Sequence, residues 1–253
     1  MQIKMIVTDL DGTLLREDKT ISERSLSALA KCRDRGIKTV YATGRGSSTA
    51  AIVPSEFFDG YVWMNGATAK AGNSLVYKKL LPIELVRGLL LAADRAGLRV
   101  VAESDDWHYA NFNVSEEWPF LKQSKIVDFN ELDIEVEKVY AIVNTPEDVK
   151  VIERHLPDDT YAYFSRDGFA MVMHKEAVKS KAVVALADHW GVKREEVVAF
   201  GDDINDIELL EFFGIGVAMG NALDETKTVA DQICDTNDND GMAKWLEENV
   251  LLC

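Results

Sequence analysis

Apolar and polar positions along the chain follow two rhythms. Met5–Thr8 is a short apolar run broken at once by Asp-Leu-Asp-Gly, which predicts a buried strand ending in a polar loop. Ser22 is placed to cap a following helix, with Ile21 and Leu26 as its hydrophobic staple and Gly36 at the position after its end. Residues 37–41 predict a second strand, ending in Ala-Thr-Gly-Arg and a second helix, and residues 61–64 a third strand, ending in Asn65-Gly66-Ala67. After Pro82 the rhythm changes. An amphipathic helix runs to Ala96, and short alternating segments at 98–103, 136–143, 161–164 and 170–173 then cluster around one further helix at 146–156. The first rhythm returns with a helix over Lys179–Trp190, a strand over Val197–Gly201, a helix over 204–212 and a strand over 215–219. Strand–helix alternation implies a parallel sheet with right-handed crossovers, and clustered strands imply an antiparallel one. The predicted fold is therefore α/β. A doubly wound parallel-sheet core, residues 1–81 and 179–253, is interrupted by an inserted α+β domain, residues 82–178. No internal repeat or low-complexity tract is visible.

Composition changes this picture little, and charge changes it more. A chain of 253 residues is near the length at which a second domain is expected, and 47% hydrophobic with 28% charged residues is ordinary for a globular protein. The 28 Lys+Arg against 43 Asp+Glu leave a net charge of −15, which argues against nucleic acid and anionic membranes as partners. The same field repels a phosphorylated substrate unless a metal ion and local cations reverse its sign. Cys32, Cys234 and Cys253 are far apart and form no CxxC, so a reducing compartment is expected, without a disulfide framework or a zinc site. The N-terminus runs into a strand without a signal-peptide core, and no apolar run nears the ~20 residues that span a bilayer. The expected location is cytoplasmic.

Four polar groups stand where predicted strands of the α/β part end, the edge at which open parallel sheets bind ligands. They are Asp9-Leu10-Asp11-Gly12-Thr13, Thr43-Gly44-Arg45, Lys179, and Gly201-Asp202-Asp203-Ile204-Asn205-Asp206. Taken singly, an aspartate near a strand end is a turn or cap residue. Two acidic clusters ending two strands, with a Thr and a Lys between, are a different matter. Gathering Asp9, Asp11, Asp202 and Asp206 into one crevice is unfavourable unless a cation sits among them, and an all-oxygen set suits Mg²⁺.

DLDGTL at 9–14, ATGR at 42–45, a mid-chain lysine and GDDxND at 201–206 resemble the four motifs of the haloacid dehalogenase superfamily. Asn65-Gly66-Ala67, Val217-Ala218-Met219-Gly220-Asn221-Ala222 and Asp240-Gly241 resemble more narrowly its Cof-type branch, subfamily IIB, with an α+β cap inserted between the second and third motifs. The resemblance implies a Mg²⁺-dependent phosphatase acting on a small phosphorylated metabolite, with sugar phosphates favoured. It implies Asp9 as the nucleophile that becomes an aspartyl phosphate, and Asp11 as the acid that protonates the leaving oxygen and then activates water. Thr43, Gly44, Lys179 and Asn205 would bind the phosphoryl group; Asp9, Asp11 (through its main-chain carbonyl), Asp202 and Asp206 would hold the metal, with the division of labour among Asp203, Asn205 and Asp206 open. The chemistry is coherent in itself: a carboxylate needs no deprotonation to attack, an acyl phosphate is readily hydrolysed, and positioning with electrostatics dominates phosphoryl transfer.

The third motif departs from the family pattern, with Glu176 and Ser180 where glycines are usual and both Lys179 and Lys181 available. Counting back from Trp190-Gly191-Val192 selects Lys179 and puts Lys181 about 200° round the helix. Trp107, His108, Tyr109, Trp118 and Phe120 read as core of the inserted domain, with a substrate pocket as the alternative. His174 reads as a hinge or surface residue, Arg45 as a salt-bridge partner or a phosphate ligand, and Lys4, Arg16 and Lys19 as solvated charge. Rival readings are a phosphomutase or phosphotransferase, a non-catalytic phosphometabolite-binding protein and a phospho-accepting signalling domain. The last lacks an insert of this size, and the second has no need of Asp9, Asp11 and Lys179 together.

Overall fold

Successive side chains of a strand point to opposite faces, and in the first strand every one of them is buried: Met5, Ile6, Val7 and Thr8 are each 0% exposed. Such a strand needs cover on both sides, which parallel sheets obtain from crossover helices. The computed structural model describes residues 2–46, 49, 52–119, 121, 123–165 and 168–252. Phe120, Cys253 and most of the helix expected after Arg45 (47, 48, 50 and 51) lie outside the described residues. The chain forms two compact units, Met1–Lys78 with Val178–Cys253, and Lys79–Ala177.

The first unit is built on an eight-stranded sheet among the described residues. Its order is Gln232–Ile233, Ile215–Ala218, Val197–Gly201, Met5–Thr8, Lys38–Ala42, Gly60–Trp63, Thr68–Ala71 and Ser74–Lys78. The first six run parallel, and the last two add an antiparallel hairpin at the edge. On one face Met5, Val7, Val197 and Ala199 pack with Ala182, Val183, Leu186 and Leu209 from the helices Lys179–Trp190 and Ile207–Phe212. On the other, Ile6, Val198, Phe200 and Val217 meet Ala28, Leu29, Met242 and Leu246 from the helices Glu23–Asp34 and Gly241–Leu246. Each fully buried Val, Leu, Ile, Phe or Met among them contributes roughly 1.5–3 kcal/mol. Ser22 does cap the helix Glu23–Asp34, accepting a hydrogen bond from the Ser25 N–H. Gly191, at φ +67°, ends Lys179–Trp190 in the left-handed conformation.

The second unit is α+β. Its six-stranded sheet runs Thr160–Phe164, Phe169–His174, Lys138–Ile142, Val100–Ser104, Trp107–Ala110 and Ser124–Ile126, antiparallel except for the last pair. The helices Ile83–Arg95 and Pro146–Arg154 cover one face through Val86, Leu89, Leu90 and Ile152. Thr145 and Asp148 form a capping box at the start of Pro146–Arg154. On the opposite face Glu103, His108, Lys138 and Tyr140 are aligned by register and buried.

Candidate active site

Parallel register brings the C-terminal ends of four strands side by side. Thr8 is level with both Phe200 and Tyr41, and Ala42 with Val62. The ladder runs one step past the strands: the Asp9 N–H donates to the Phe200 carbonyl at 3.0 Å, that of Thr43 to Val62 at 2.9 Å and that of Asn65 to Thr43 at 2.9 Å. Two glycines let the loops beyond close up. A Cβ on Gly12, at φ +78°, would lie 2.2 Å from Asp202 Oδ2, and one on Gly66, at φ +111°, would lie 2.3 Å from the carbonyl group of Val178. The residue after Val178 is Lys179, so this close approach sets the start of its helix.

Lys179 is the centre of the site. Its Nζ donates to Asp9 Oδ1 at 2.6 Å and to Asp206 Oδ1 at 2.7 Å, with its side chain only 1% exposed. Asp206 is wholly buried; its Oδ2 accepts from the backbone N–H groups of Asp202 and Asp203 at 3.0 and 3.3 Å. Thr13 Oγ1 donates to Asp202 Oδ1 at 2.8 Å. Oxygens of Asp9, Asp202 and Asp206 lie within 4.8 Å of one another. One ammonium therefore faces three carboxylates. Burial works against the charge on Lys179, but Asp206 and Asp9 outweigh it and hold the ammonium above its usual range. Burial, reinforced by Asp206 and Asp202, pushes the Asp9 carboxyl well above the ordinary range despite Lys179. Burial and the Asp206 charge push Asp202 up to about 7. A close-set, oxygen-only and under-neutralised group of this kind fits a hard divalent cation.

Asp11 is placed apart from that trio. Its carboxylate takes a two-pronged ion pair from Arg45, Nε to Oδ2 and Nη2 to Oδ1 both at 2.6 Å, and a third bond from Lys19 Nζ to Oδ1 at 3.0 Å. Burial works to raise this carboxyl, but the hydrogen bonds from Arg45 and Lys19 outweigh it and keep it below the usual carboxylate range. Thr43 is buried, its Oγ1 accepting from the Arg45 N–H at 3.1 Å. A Cβ on Gly44 would lie 3.0 Å from Asn65 Oδ1, and that oxygen accepts from Asn205 Nδ2 at 2.9 Å. Thr43, Gly44, Asn65 and Asn205 thus form a second, neutral group beside the charged one. Asn205 Oδ1 is buried with no hydrogen-bond partner among the described residues.

Some residues behave differently from their reading in the sequence. Arg16 and Lys19 stay exposed, with 36% and 53% of their side chains accessible, and are paired as well: Arg16 with Asp240 at 2.8 Å and Lys19 with Asp11 at 3.0 Å. Lys4 pairs with Glu196 at 2.6 Å on the surface, with 47% of its side chain exposed. Arg45 makes a salt bridge, and its partner is Asp11. Lys181 is exposed and Lys179 buried, and Ser180, in a place where glycine was expected, hydrogen-bonds Glu208. His108 and Trp118 are packed in the second unit, against Tyr140, while Trp107 is 42% exposed. Thr13 and Asn221, whose Nδ2 donates to the Gly12 carbonyl at 2.7 Å, were not singled out. Both lie inside motifs quoted from the sequence, but nothing in those motifs assigns either of them a partner.

This sheet edge, with its paired acidic loops and central lysine, defines a phosphoryl-handling hydrolase. The chain belongs to the haloacid dehalogenase-like hydrolase family, whose model matches residues 6–246. It is 33% identical to the 5-amino-6-(5-phospho-D-ribitylamino)uracil phosphatase YitU of Bacillus subtilis, over 96% of each chain. It is 27% identical to the pyridoxal phosphate phosphatase YbhA of Escherichia coli, over 99% of this chain and 100% of that one. Among solved structures, the subclass IIB sugar phosphatase BT4131 superposes with a TM-score of 0.84 at 29% identity, covering 97% of this chain and 98% of that one. The protein is a phosphoric monoester hydrolase of this family. Among the described residues no helix is long and apolar enough to cross a membrane.

Proposed function

We propose that the protein is a Mg²⁺-dependent phosphatase of small phosphorylated metabolites, sugar and polyol phosphates foremost, working through an aspartyl phosphate on Asp9. The observation that carries this reading is the placement of Lys179 between Asp9 and Asp206, with Asp202 beside them. Asp9 attacks phosphorus and the bond to the leaving oxygen breaks, while Asp11 delivers a proton to that oxygen and the alcohol departs. Asp11 then takes a proton from water, which attacks the acyl phosphate, releases phosphate and restores Asp9. Thr43, the Gly44 backbone and Asn205 bind phosphoryl oxygens, and Lys179 offsets the charge shared by Asp9 and the transferring group. Asp9, Asp202 and Asp206, with the Asp11 main-chain carbonyl, would hold Mg²⁺. When bound, the ion supplies positive charge to the phosphoryl oxygens. The inserted α+β unit is assigned the choice of leaving group. YitU acts on a ribityl phosphate and BT4131 is a sugar phosphatase, which supports a polyol or sugar phosphate here.

The test is a panel of phosphate monoesters, read as released phosphate in Mg²⁺ and in EDTA. Hydrolysis of sugar and polyol phosphates in Mg²⁺ alone is expected, with a rapid-quench phosphoenzyme that hydroxylamine discharges. Undiminished turnover after exhaustive EDTA dialysis overturns the metal assignment. An isomerised phosphate ester without free phosphate makes the protein a mutase.

A further inference from the structure

We infer that Asn221 is a positioning residue for Asp202, acting through the Gly12–Thr13 peptide and the Thr13 hydroxyl to hold that carboxylate in place against its neighbours. The inference rests on the Mg²⁺ reading above. Asn221 belongs to the Cof-type segment 217–222, to which the proposed reaction gives no task. The three carboxylates of the cluster are not held alike. Asp9 and Asp206 accept from Lys179, at 2.6 and 2.7 Å, whereas Asp202 accepts from Thr13 Oγ1 at 2.8 Å. A neutral hydroxyl offsets none of the charge that the other two carboxylates present within 4.8 Å. Asp202 is therefore the member most readily pushed aside, and its direction is only as firm as that of Thr13. Thr13 follows Gly12, which is at φ +78° and has no side chain to fix it.

A pair of bonds on one peptide supplies what the glycine lacks. The Gly12 carbonyl accepts from Asn221 Nδ2 at 2.7 Å, and the Thr13 N–H donates to the Leu10 carbonyl at 3.3 Å. Asn221 is exposed, yet its amide is held at both ends, because Oδ1 accepts from the Asn237 N–H at 3.0 Å. Asn237 is buried, and its Nδ2 donates to the Leu15 carbonyl at 2.9 Å, closing the same loop from its far end. Two residues beyond Asn221, the Leu223 N–H donates to the Asp202 carbonyl at 3.0 Å. One short turn thus holds both partners of the Thr13–Asp202 bond, one by a side chain and the other by main chain. The turn is itself anchored, with the Met219 N–H on the Gly201 carbonyl at 3.0 Å and the Gly220 N–H on the Asp235 carbonyl at 3.1 Å. A bond kept for stability alone would leave metal affinity untouched; one that sets the direction of a metal ligand would not.

The experiment titrates the protein with Mg²⁺ alone, by calorimetry without substrate and well below the melting point of each variant. Asn221→Ala is expected to raise the Mg²⁺ dissociation constant about fivefold, less than the loss of roughly tenfold or more typical where the residue touching a metal ligand is removed. At saturating Mg²⁺ its kcat should stay within about threefold of wild type, since the bound ion then holds Asp202 itself. Thr13→Val keeps the shape of the side chain and removes the hydroxyl. Because Asn221 acts through that hydroxyl, Asn221→Ala in the Thr13→Val background should weaken binding by no more than a further factor of about two. An unchanged dissociation constant in Asn221→Ala overturns the inference and leaves Asn221 a structural residue. Losses that multiply in the double variant overturn it as well, since Asn221 then works by a route that bypasses Thr13. Wild-type protein that binds no Mg²⁺ removes the metal reading itself, and the inference with it.

Discussion

Each unit of the protein buries a lysine against carboxylate, and the two do so on different terms. In the inserted unit Lys138 meets Glu103 at 3.1 Å, with side chains 11% and 8% exposed, on a sheet face shared with His108 and Tyr140. In the α/β unit Lys179 meets Asp9 and Asp206 while Asp202 stands within 4.8 Å of both. Among the described residues no other set of acidic or metal-ligating side chains gathers as those three do. Where a buried lysine and carboxylate match in charge no further ion is called for, and removing either partner strands the other. A three-to-one cluster does not match, and its excess negative charge supports the cation proposed there. Burial of charge alone is no mark of function; imbalance of buried charge is the more telling sign.

The comparison breaks first, and most visibly, at Asp9. Asp9→Asn is expected to reduce phosphate release by about 10⁴-fold or more, ~5 kcal/mol of barrier, while the protein melts no lower than wild type. A loss of only tenfold removes Asp9 from the role of nucleophile. The inserted unit should answer in the opposite currency. Lys138→Met strands Glu103 and is expected to cost about 3–5 kcal/mol in urea unfolding, with p-nitrophenyl phosphate turnover of the folded protein within threefold of wild type. The double change Lys138→Met with Glu103→Gln should recover most of that stability. If the single change is harmless to stability, the pair is not the charge-matched structural element described here.

The same contrast explains how much of the molecule was legible in its sequence. The strands that carry the site are buried on both faces and appear as unbroken apolar runs, so Met5–Thr8, Val197–Gly201 and the helix Lys179–Trp190 have the bounds that the pattern predicts. Strands covered on one face or at an edge have a weaker signal. The hairpin Thr68–Ala71 and Ser74–Lys78 was missed because its outer strand is largely exposed and polar–apolar order breaks at a register shift between Ala69 and Lys70. Trp107–Ala110 was read as a set of aromatic candidates and is a strand, with Asp105 and Asp106 at φ +47° and +64° turning the chain into it. Gln232–Ile233 and Ser124–Ile126 are too short for any periodicity to register. The acidic motifs were legible because the loop sequence is contiguous. The partners of Asp11 were not, since Lys19 and Arg45 reach it from separate loops and look in sequence like any surface cation.

The assignment of Lys179 over Lys181 sharpens the comparison further. Two lysines two positions apart in the chain differ here by about 200° around a helix, one bonded to Asp9 and Asp206 and the other exposed. Lys179→Ala is expected to slow turnover at saturating Mg²⁺ by at least a hundredfold, ~2.7 kcal/mol. Lys181→Ala should stay within about threefold, as befits an exposed charge. The reverse result would shift the third motif by two residues and leave the nucleophile unaffected.

The smallest expected effect probes the imbalance directly, through stability rather than rate. Asp202 is pushed from an ordinary 3.8 up to about 7 by burial and by Asp206. Between those values the folded protein holds a proton that the unfolded chain has lost, so this group stabilises the fold fully below about pH 4 and loses that contribution as pH rises through about 7. His108 acts against this in part of the same window, because burial lowers its value and acid therefore favours the unfolded chain. The informative quantity is therefore the difference between wild type and Asp202→Asn, in which His108 cancels. In EDTA, raising the pH from about 5.5 to about 7.5 should lower the wild-type melting temperature by a few degrees relative to the variant, on the scale of ~2–4 °C per kcal/mol for a chain of this size. Saturating Mg²⁺ should abolish that gap by stabilising the ionised carboxylates, and should raise the melting point more at the higher pH. Parallel pH profiles for the two proteins in EDTA would mean that Asp202 is already accommodated without a cation, and the three-to-one cluster would lose its claim to be incomplete.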